Sequence, residues 1–372
     1  MKRVFFVMTL MSCLCFIDCK KDNSVIINDE DAIDVWFEDI ASNVKIVRLD
    51  SDEPIGSIKN IISYDNEIIA IGNDKQTAYY FVDGKLVSKM NHVGRGRGEY
   101  LDLSRYAYSP SRKVLYVLNG DKVLWYSMPE MNYSGSTPLK TNPNFISVHD
   151  DKSFFVAIVE DGKAITALVD IETGEITKQI DEISMYSLEQ SDISMASYSM
   201  RDHYYSTSSF NNKIVAVNKD NTVTSLLTYN FGDKSIPEEY VDYDIKHLDR
   251  MFDIVEYMME NGDTRLEGNQ FIRLRNDELT FWYYYSTHVW DRFLYRYNLK
   301  DKSGNSYKGF RIKGINRPIY PLSSTSEGYV TILEGDYSMY KTDEEPSDLA
   351  NSIIHEMKKQ EEHNPVLLFY DL

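Results

Sequence analysis

A short unit of strand, turn and strand recurs six times along this chain, and recurrence limits the folds open to it more than any other feature. The units are Asn66–Met90 (NEIIAIGNDKQTAYYFVDGKLVSKM), Lys113–Pro129 (KVLYVLNGDKVLWYSMP) and Ser153–Ile180. Asn212–Asn230, Glu278–Lys300 and Gly328–Thr342 complete the series. Turn pairs such as Asp83-Gly84, Asn119-Gly120, Asp161-Gly162 and Thr173-Gly174 separate the apolar runs at hairpin spacing. The starts fall roughly 40 to 65 residues apart, an interval suited to four-stranded blades with loop variation. Tyrosine is abundant at 28 residues, with 16 Phe and 4 Trp, a composition that favours strands. These observations predict an all-β, six-bladed propeller with small helical insertions, rather than a sandwich of two sheets. A propeller hides its sheet edges by radial closure. VKIVRLD (Val44–Asp50) beside PVLLFYDL (Pro365–Leu372) is the expected closing pair.

Two stretches break the repeat. Ile245, Leu248, Phe252, Val255 and Met259 fall at helical spacing, so residues 236–263 are read as an amphipathic insertion. A second helix is expected over residues 347–362, capped by Ser347 or Asp348, with Leu349, Ile353, Ile354 and Met357 inward. No linker divides the body. The chain therefore reads as a signal over residues 1–18, a tether over 19–43 and one propeller over 44–372.

Lys2 and Arg3 precede an apolar run, Val4–Ile17, that is too short to span a membrane and suits a secretory signal. All three cysteines, Cys13, Cys15 and Cys19, lie here, so the body has no thiols to pair and its stability rests on packing. Hydrophobicity ends abruptly at Lys20–Asn23 (KKDN). This arrangement resembles the lipoprotein signals of Bacteroides-like bacteria, in which a lipidated cysteine opens the mature chain. Cys19 is the expected anchor. Cys13, in LMSC, better fits the small-residue pattern but would leave apolar residues behind the lipid. A lipid tethers without spanning, and the expected location is the outer membrane, at the cell surface or on the periplasmic face. The net charge of −18 repels nucleic acid phosphates, so no nucleic acid partner is expected.

The stretch HVGRGRGEYLDL (His92–Leu103) places Gly94, Gly96 and Gly98 around two arginines. A dinucleotide loop requires a helix next, and a P-loop requires Lys-Ser/Thr at its end; here a strand-like alternation follows instead. The glycines are better read as an inter-blade turn. Together with Glu99 and Tyr100, the run resembles the Gly-x-Gly-Pro-Gly-Glu-Tyr signature of the Bacteroides-type six-bladed β-propeller lipoproteins, relatives of NHL-repeat propellers. The resemblance covers nearly the whole mature chain, and NPVLLFYDL is similar to the closing strand of that family. It departs at Arg97, where the family usually carries proline. Arg95 and Arg97 either remain solvated, paired with carboxylates such as Glu99, or contact a ligand at the channel mouth.

The remaining chemistry is sparse. His355 and His363 are eight apart, with Lys359 where a zinc helix needs its second ligand. No nucleophile elbow occurs. No cofactor is expected, with an axial divalent cation as the one alternative. In FWYYYSTHVWDRFLY (Phe281–Tyr295), Trp282, Tyr284 and Trp290 either pack between blades or stack on sugar rings. The expected function is therefore a monomeric binding module for an envelope protein or a glycan. The alternative is a hydrolase or lyase at the channel mouth, which requires His and Asp/Glu side chains from several blades to converge near the axis.

Overall fold

The computed structural model describes residues 24–372 apart from 144, 161–162, 181–202, 207–212, 219, 221, 238–250, 286–287, 289–290, 326–327, 336–337, 339–343 and 360–363. Three strands and a short helix open the described chain: β1 (Val25–Ile26), β2 (Ile33–Trp36), α1 (Phe37–Ile40) and β3 (Ser42–Arg48). Blade 1 follows as β4 (Ile58–Tyr64), β5 (Glu67–Gly72), β6 (Ala78–Val82) and β7 (Lys85–Met90). Blade 2 is β8 (Tyr106–Ser109) to β11 (Asn132–Pro138), with β9 (Val114–Asn119) and β10 (Lys122–Ser127) between. Blade 3 runs through β12 (Phe145–Val148), β13 (Ser153–Glu160), β14 (Lys163–Asp170) and β15 (Ile176–Ile180). Blade 4 has β16 (His203–Ser206), β17 (Lys213–Asn218) and β18 (Val223–Asn230). Blade 5 has β19 (Leu266–Arg275), β20 (Glu278–Tyr285), β21 (Arg292–Asn298) and β22 (Ser303–Arg311). Blade 6 has β23 (Ser323–Ser324), β24 (Tyr329–Leu333) and β25 (Val366–Asp371). The six sheets form a ring, a six-bladed β-propeller.

The first strands of neighbouring blades touch, β8 on β12, β19 on β23 and β23 on β4, so they are the inner strands. The apolar core is correspondingly spread over the seams. One cluster joins blades 1 and 2 through Tyr80, Tyr108 and Tyr126, and another joins blades 5 and 6 through Trp282, Phe310, Tyr329 and Tyr370. Blade strands are thus covered on both faces, which accounts for the near-continuous apolar runs in the middle strands.

The N-terminal segment closes the ring. β3 adds to β25 in antiparallel register, with Val366 opposite Arg48 and Leu368 opposite Ile46, the pairing expected from the sequence. The preceding residues, expected as a tether over 19–43, join the blades from residue 25 on: β1 pairs in parallel with β18 and β2 in parallel with β22. Residues 25–48 therefore belt the outer edges of blades 4, 5 and 6 in succession. The Asp50 N–H then donates to the Gly84 carbonyl of blade 1 at 2.7 Å. Phe37 and Leu49 are wholly buried along the way.

A polar lock holds the belt between blades 4 and 5. Lys234 Nζ reaches Asp29 at 2.7 Å, and the Tyr285 hydroxyl donates to the same carboxylate at 2.6 Å. Burial alone would raise the Asp29 carboxyl, but these two hydrogen bonds outweigh it and hold it below the usual carboxylate range. A depressed folded pKa stabilises above the unfolded value, and that stability is lost as pH falls through the folded one. Protection of the amides over residues 25–36, relative to their intrinsic exchange rates, should therefore fall below about pH 4. Asp29→Asn should show fast exchange there already at neutral pH, through loss of about 1.5–3 kcal/mol.

α2 (Met251–Asn261) carries Met259 at 78% exposure, so the inward stripe expected to include it does not hold at its end; Ile245 and Leu248 lie outside the described residues. α3 (Asp348–Lys358) sits in the connection from β24 to β25. Ser347 caps it, accepting from the Ala350 N–H at 3.2 Å, while Ala350, Ile353 and Met357 are buried. No helix among the described residues is long and apolar enough to cross a membrane.

Candidate binding cleft at the seam of blades 5 and 6

The glycine-rich stretch connects β7 to β8. Gly94 N–H donates to Tyr100 O at 2.9 Å, and Tyr100 N–H returns to His92 O at 3.0 Å. Glu99 curls beneath, accepting from Gly96 N–H at 2.7 Å, so a Cβ on Gly94 would lie 2.0 Å from its carboxylate. The Tyr100 side chain is buried; its hydroxyl donates to Gln76 O at 2.6 Å, and burial pushes it up to about 12. Tyr126 donates to Gly98 O at 3.0 Å from blade 2. The stretch is a structural turn that fastens blade 1 to blade 2. Gly98 has φ +75°, and a Cβ there would meet Tyr133 Cγ at 2.5 Å. Gly98→Ala is expected to cost about 2–3 kcal/mol from left-handed backbone strain and this clash, read as a lower denaturation midpoint with an unchanged slope.

Arg95 and Arg97 are exposed on this turn. The Tyr133 hydroxyl donates to Ser136 Oγ at 3.4 Å, and Ser136 and then the nearby Arg97 hold it below the usual tyrosine range. Neither arginine approaches the aromatic stretch of blade 5. The turn lies on the seam of blades 1 and 2, two seams around the ring.

The aromatic stretch divides by strand alternation. Phe281 and Tyr283 face the core shared with blade 4, whereas Trp282 faces blade 6. Trp282 is fully buried, packed on Phe310 at 4.7 Å and on Tyr320 at 5.8 Å, so of its two expected roles it takes the packing one and is no ligand contact. Tyr284, two residues nearer the strand end, is half-buried. Its cross-strand partner is Arg292, whose side chain shares its face. Trp290 lies outside the described residues, as does Cys19.

Beside Arg292, a cavity of about 280 Å³ opens at the seam, walled by Pro318, Tyr320, Pro321 and Leu322, with Arg317 at its rim. Arg292 is held between the rings of Tyr320 and Phe271, at 5.7 and 5.9 Å, and its Nη1 donates to Pro321 O at 3.3 Å. Burial draws its guanidinium below the usual arginine range, yet it remains cationic. The cavity is built from the β22–β23 connection and the start of β21, with Thr331 and Ile332 of β24 behind. In an antiparallel blade, the connection into the first strand shares a face with the turn before the third. The cleft and the glycine-rich turn therefore share one face of the ring.

The opposite face of the same seam carries a second cavity of about 370 Å³, lined by Asn43, Arg275, Asn298 and Asp371. Asp371 accepts from Asn43 at 3.2 Å and pairs with Arg273 at 3.2 Å and with Arg275. These groups bind one another and tie β3 and β25 to blade 5. A cavity of about 400 Å³ between blades 6 and 1 mixes Lys45, Arg48, Lys85 and Lys359 with Asp50, Asp65, Asp83 and Glu356, so its charges cancel.

Among the described residues, the inner strands contribute buried Asn60, Tyr106, Ser109, Ser147, Ser323 and Ser324; the Asn60 amide donates to the Tyr106 hydroxyl at 2.6 Å. No three His, Cys, Asp or Glu side chains among them gather within reach of one ion.

Comparison with known proteins agrees with the fold. A family described as a domain of unknown function, DUF4934, matches residues 19–371. A candidate exported protein from Bacteroides fragilis is 15% identical, with a TM-score of 0.64 over 92% of this chain and 99% of its own. BamB from Moraxella catarrhalis is 10% identical at a TM-score of 0.40, covering 90% of this chain and 98% of its own. An inactive virginiamycin B lyase from Staphylococcus aureus, solved with quinupristin, is 11% identical at 0.41, covering 86% and 83%. No curated protein sequence matches the chain.

Proposed function

We propose that this chain, which belongs to the DUF4934 family, is a non-enzymatic glycan-binding module of the cell envelope, a relative of NHL-repeat propellers tethered to the outer membrane by a lipid on Cys19. The observation that carries the reading is the cleft at the seam of blades 5 and 6. Tyr320, Pro318 and Leu322 offer apolar surface to sugar C–H faces, and the arginines add donors at the edge. Tyr320 packs on buried Trp282 and Arg292 donates to Pro321 O, so these groups are held before binding and little order is lost on it.

Thermal melting of residues 24–372 against a panel of envelope glycans tests the module. A rise of several degrees with one glycan, abolished in Tyr320→Ala, supports the reading. A flat panel contradicts it. The lipid is tested separately: Cys19→Ala should release the protein from the membrane fraction, and unchanged partitioning assigns the anchor elsewhere.

A protein partner is the second reading. It is favoured by Val93 and Leu101, exposed at 41% and 56% beside Arg95 and Arg97. Crosslinking from positions 93 and 101 in intact envelopes distinguishes the two.

A further inference from the structure

We infer that a second copy of this chain docks head to tail, its acidic belt at blades 4 and 5 meeting the glycine-rich turn at the seam of blades 1 and 2. The inference names the occupant for the protein-partner reading of that turn, on which it rests, and is independent of the glycan cleft. It replaces the monomer expected from the sequence.

Exposed apolar side chains and the charge pattern carry it together. Seven large apolar side chains stand exposed among the described residues. Ile26, Ile33 and Trp36 lie on the belt, and Val87, Val93 and Leu101 on β7 and the turn after it. Apolar residues gathered this way at the surface mark contact sites. Their charged neighbours differ in sign. Residues 24–44 hold six Asp and Glu and no Lys or Arg, whereas residues 84–101 hold four Lys and Arg and one Glu. On the belt, Lys234 answers Asp29 and Glu30, Lys308 lies opposite Asp34, and Arg311 stacks over Trp36. Asp31 and Asp39 remain exposed, so six acids face three cations and the segment stays negative. Beside the turn, Lys89 pairs with Glu53, but Arg95 and Arg97 are exposed and Glu99 folds onto the Gly96 N–H.

Geometry sets how the copies meet. Each patch repels its own kind, which opposes a symmetric dimer built on one patch and favours contact between the two unlike ones. The six blades follow one another around the ring, so the seam of blades 1 and 2 lies across it from that of blades 4 and 5. One partner copy cannot fill both patches at once, and pairing therefore continues from copy to copy. The belt is held by β18 and β22, and the turn by Tyr100 and Tyr126, so neither has to order on contact.

Sedimentation velocity of residues 24–372, the whole described ring, tests this over a concentration series. The weight-average mass should rise past that of a dimer, and a tenfold increase in salt should weaken the association several-fold. Arg95→Glu with Arg97→Glu removes the basic patch; Asp31→Lys with Ile33→Lys removes the acidic one. All four side chains are exposed, so each double variant should stay monomeric with an unchanged melting temperature. Mixed in equal amounts, the two variants should form a one-to-one pair and nothing larger, because the mixture keeps one intact contact. Variants that still self-associate, or a mixture that stays monomeric, would overturn the pairing of these two patches. A parent chain that is monomeric throughout, while positions 93 and 101 still crosslink to another protein in envelopes, would overturn the second copy and leave the protein-partner reading standing.

Discussion

A chain beginning at residue 51 is expected to lose cooperative folding. The deletion removes β1, β2 and β3, which complete or extend three consecutive blades. With them go Ile27, Phe37 and Leu49, all essentially fully buried. Each such side chain is worth about 1.5–3 kcal/mol, and the loss of β3 also strips β25 of its outer ladder. The sum approaches the whole stability of a typical domain, about 5–15 kcal/mol. It would also expose β25 as a long apolar edge, which predicts aggregation. Calorimetry should show no two-state transition; a cooperative melt within a few degrees of the longer chain would show that the belt is an accessory.

The second large effect is expected at Asp371→Ala. The carboxylate is 10% exposed and answers Arg273, itself 9% exposed, from blade 5. Removing it leaves a buried guanidinium without its counter-charge, at a cost of about 3–5 kcal/mol. Arg275→Ala is the internal control. That side chain is 59% exposed, so its pairing with the same carboxylate is screened and worth under about 1 kcal/mol. Urea denaturation of both variants checks the contrast, and equal midpoints would show that Arg273 finds other compensation.

How far the fold was readable follows from which strands carry a pattern. Five of the six sequence units contain the two middle strands of a blade, such as β5 and β6, β9 and β10, or β20 and β21, because covering on both faces demands long apolar runs there; the sixth, Gly328–Thr342, holds β24 alone, since the third strand of blade 6 is β25. The inner strands escaped. β23 is two serines and β8 four residues, too short for any period to register. The belt escaped for a different reason. Ile26, Ile33 and Trp36 are 70%, 47% and 38% exposed, so edge pairing rather than burial makes β1 and β2 strands.

The cleft was half readable. Phe281–Tyr285 drew attention as an aromatic run, but both of its faces meet neighbouring blades. Only position along the strand leaves Tyr284 partly open while Trp282 is sealed. Arg292 was missed, although a cation opening the aromatic strand Arg292–Asn298 is a usable signal. Arg317 sits in an irregular connection, where sequence gives no face. The arginines of the glycine-rich turn were conspicuous in sequence but belong to another seam.

Hydrogen exchange of residues 24–372, with and without the envelope glycan that raises the melting temperature most, is the most direct test of the central claim that the seam of blades 5 and 6 is the binding site. Protection is predicted over residues 292–295 and 315–322, with none over 92–101. Protection over 92–101 instead, or no change anywhere, would contradict the account.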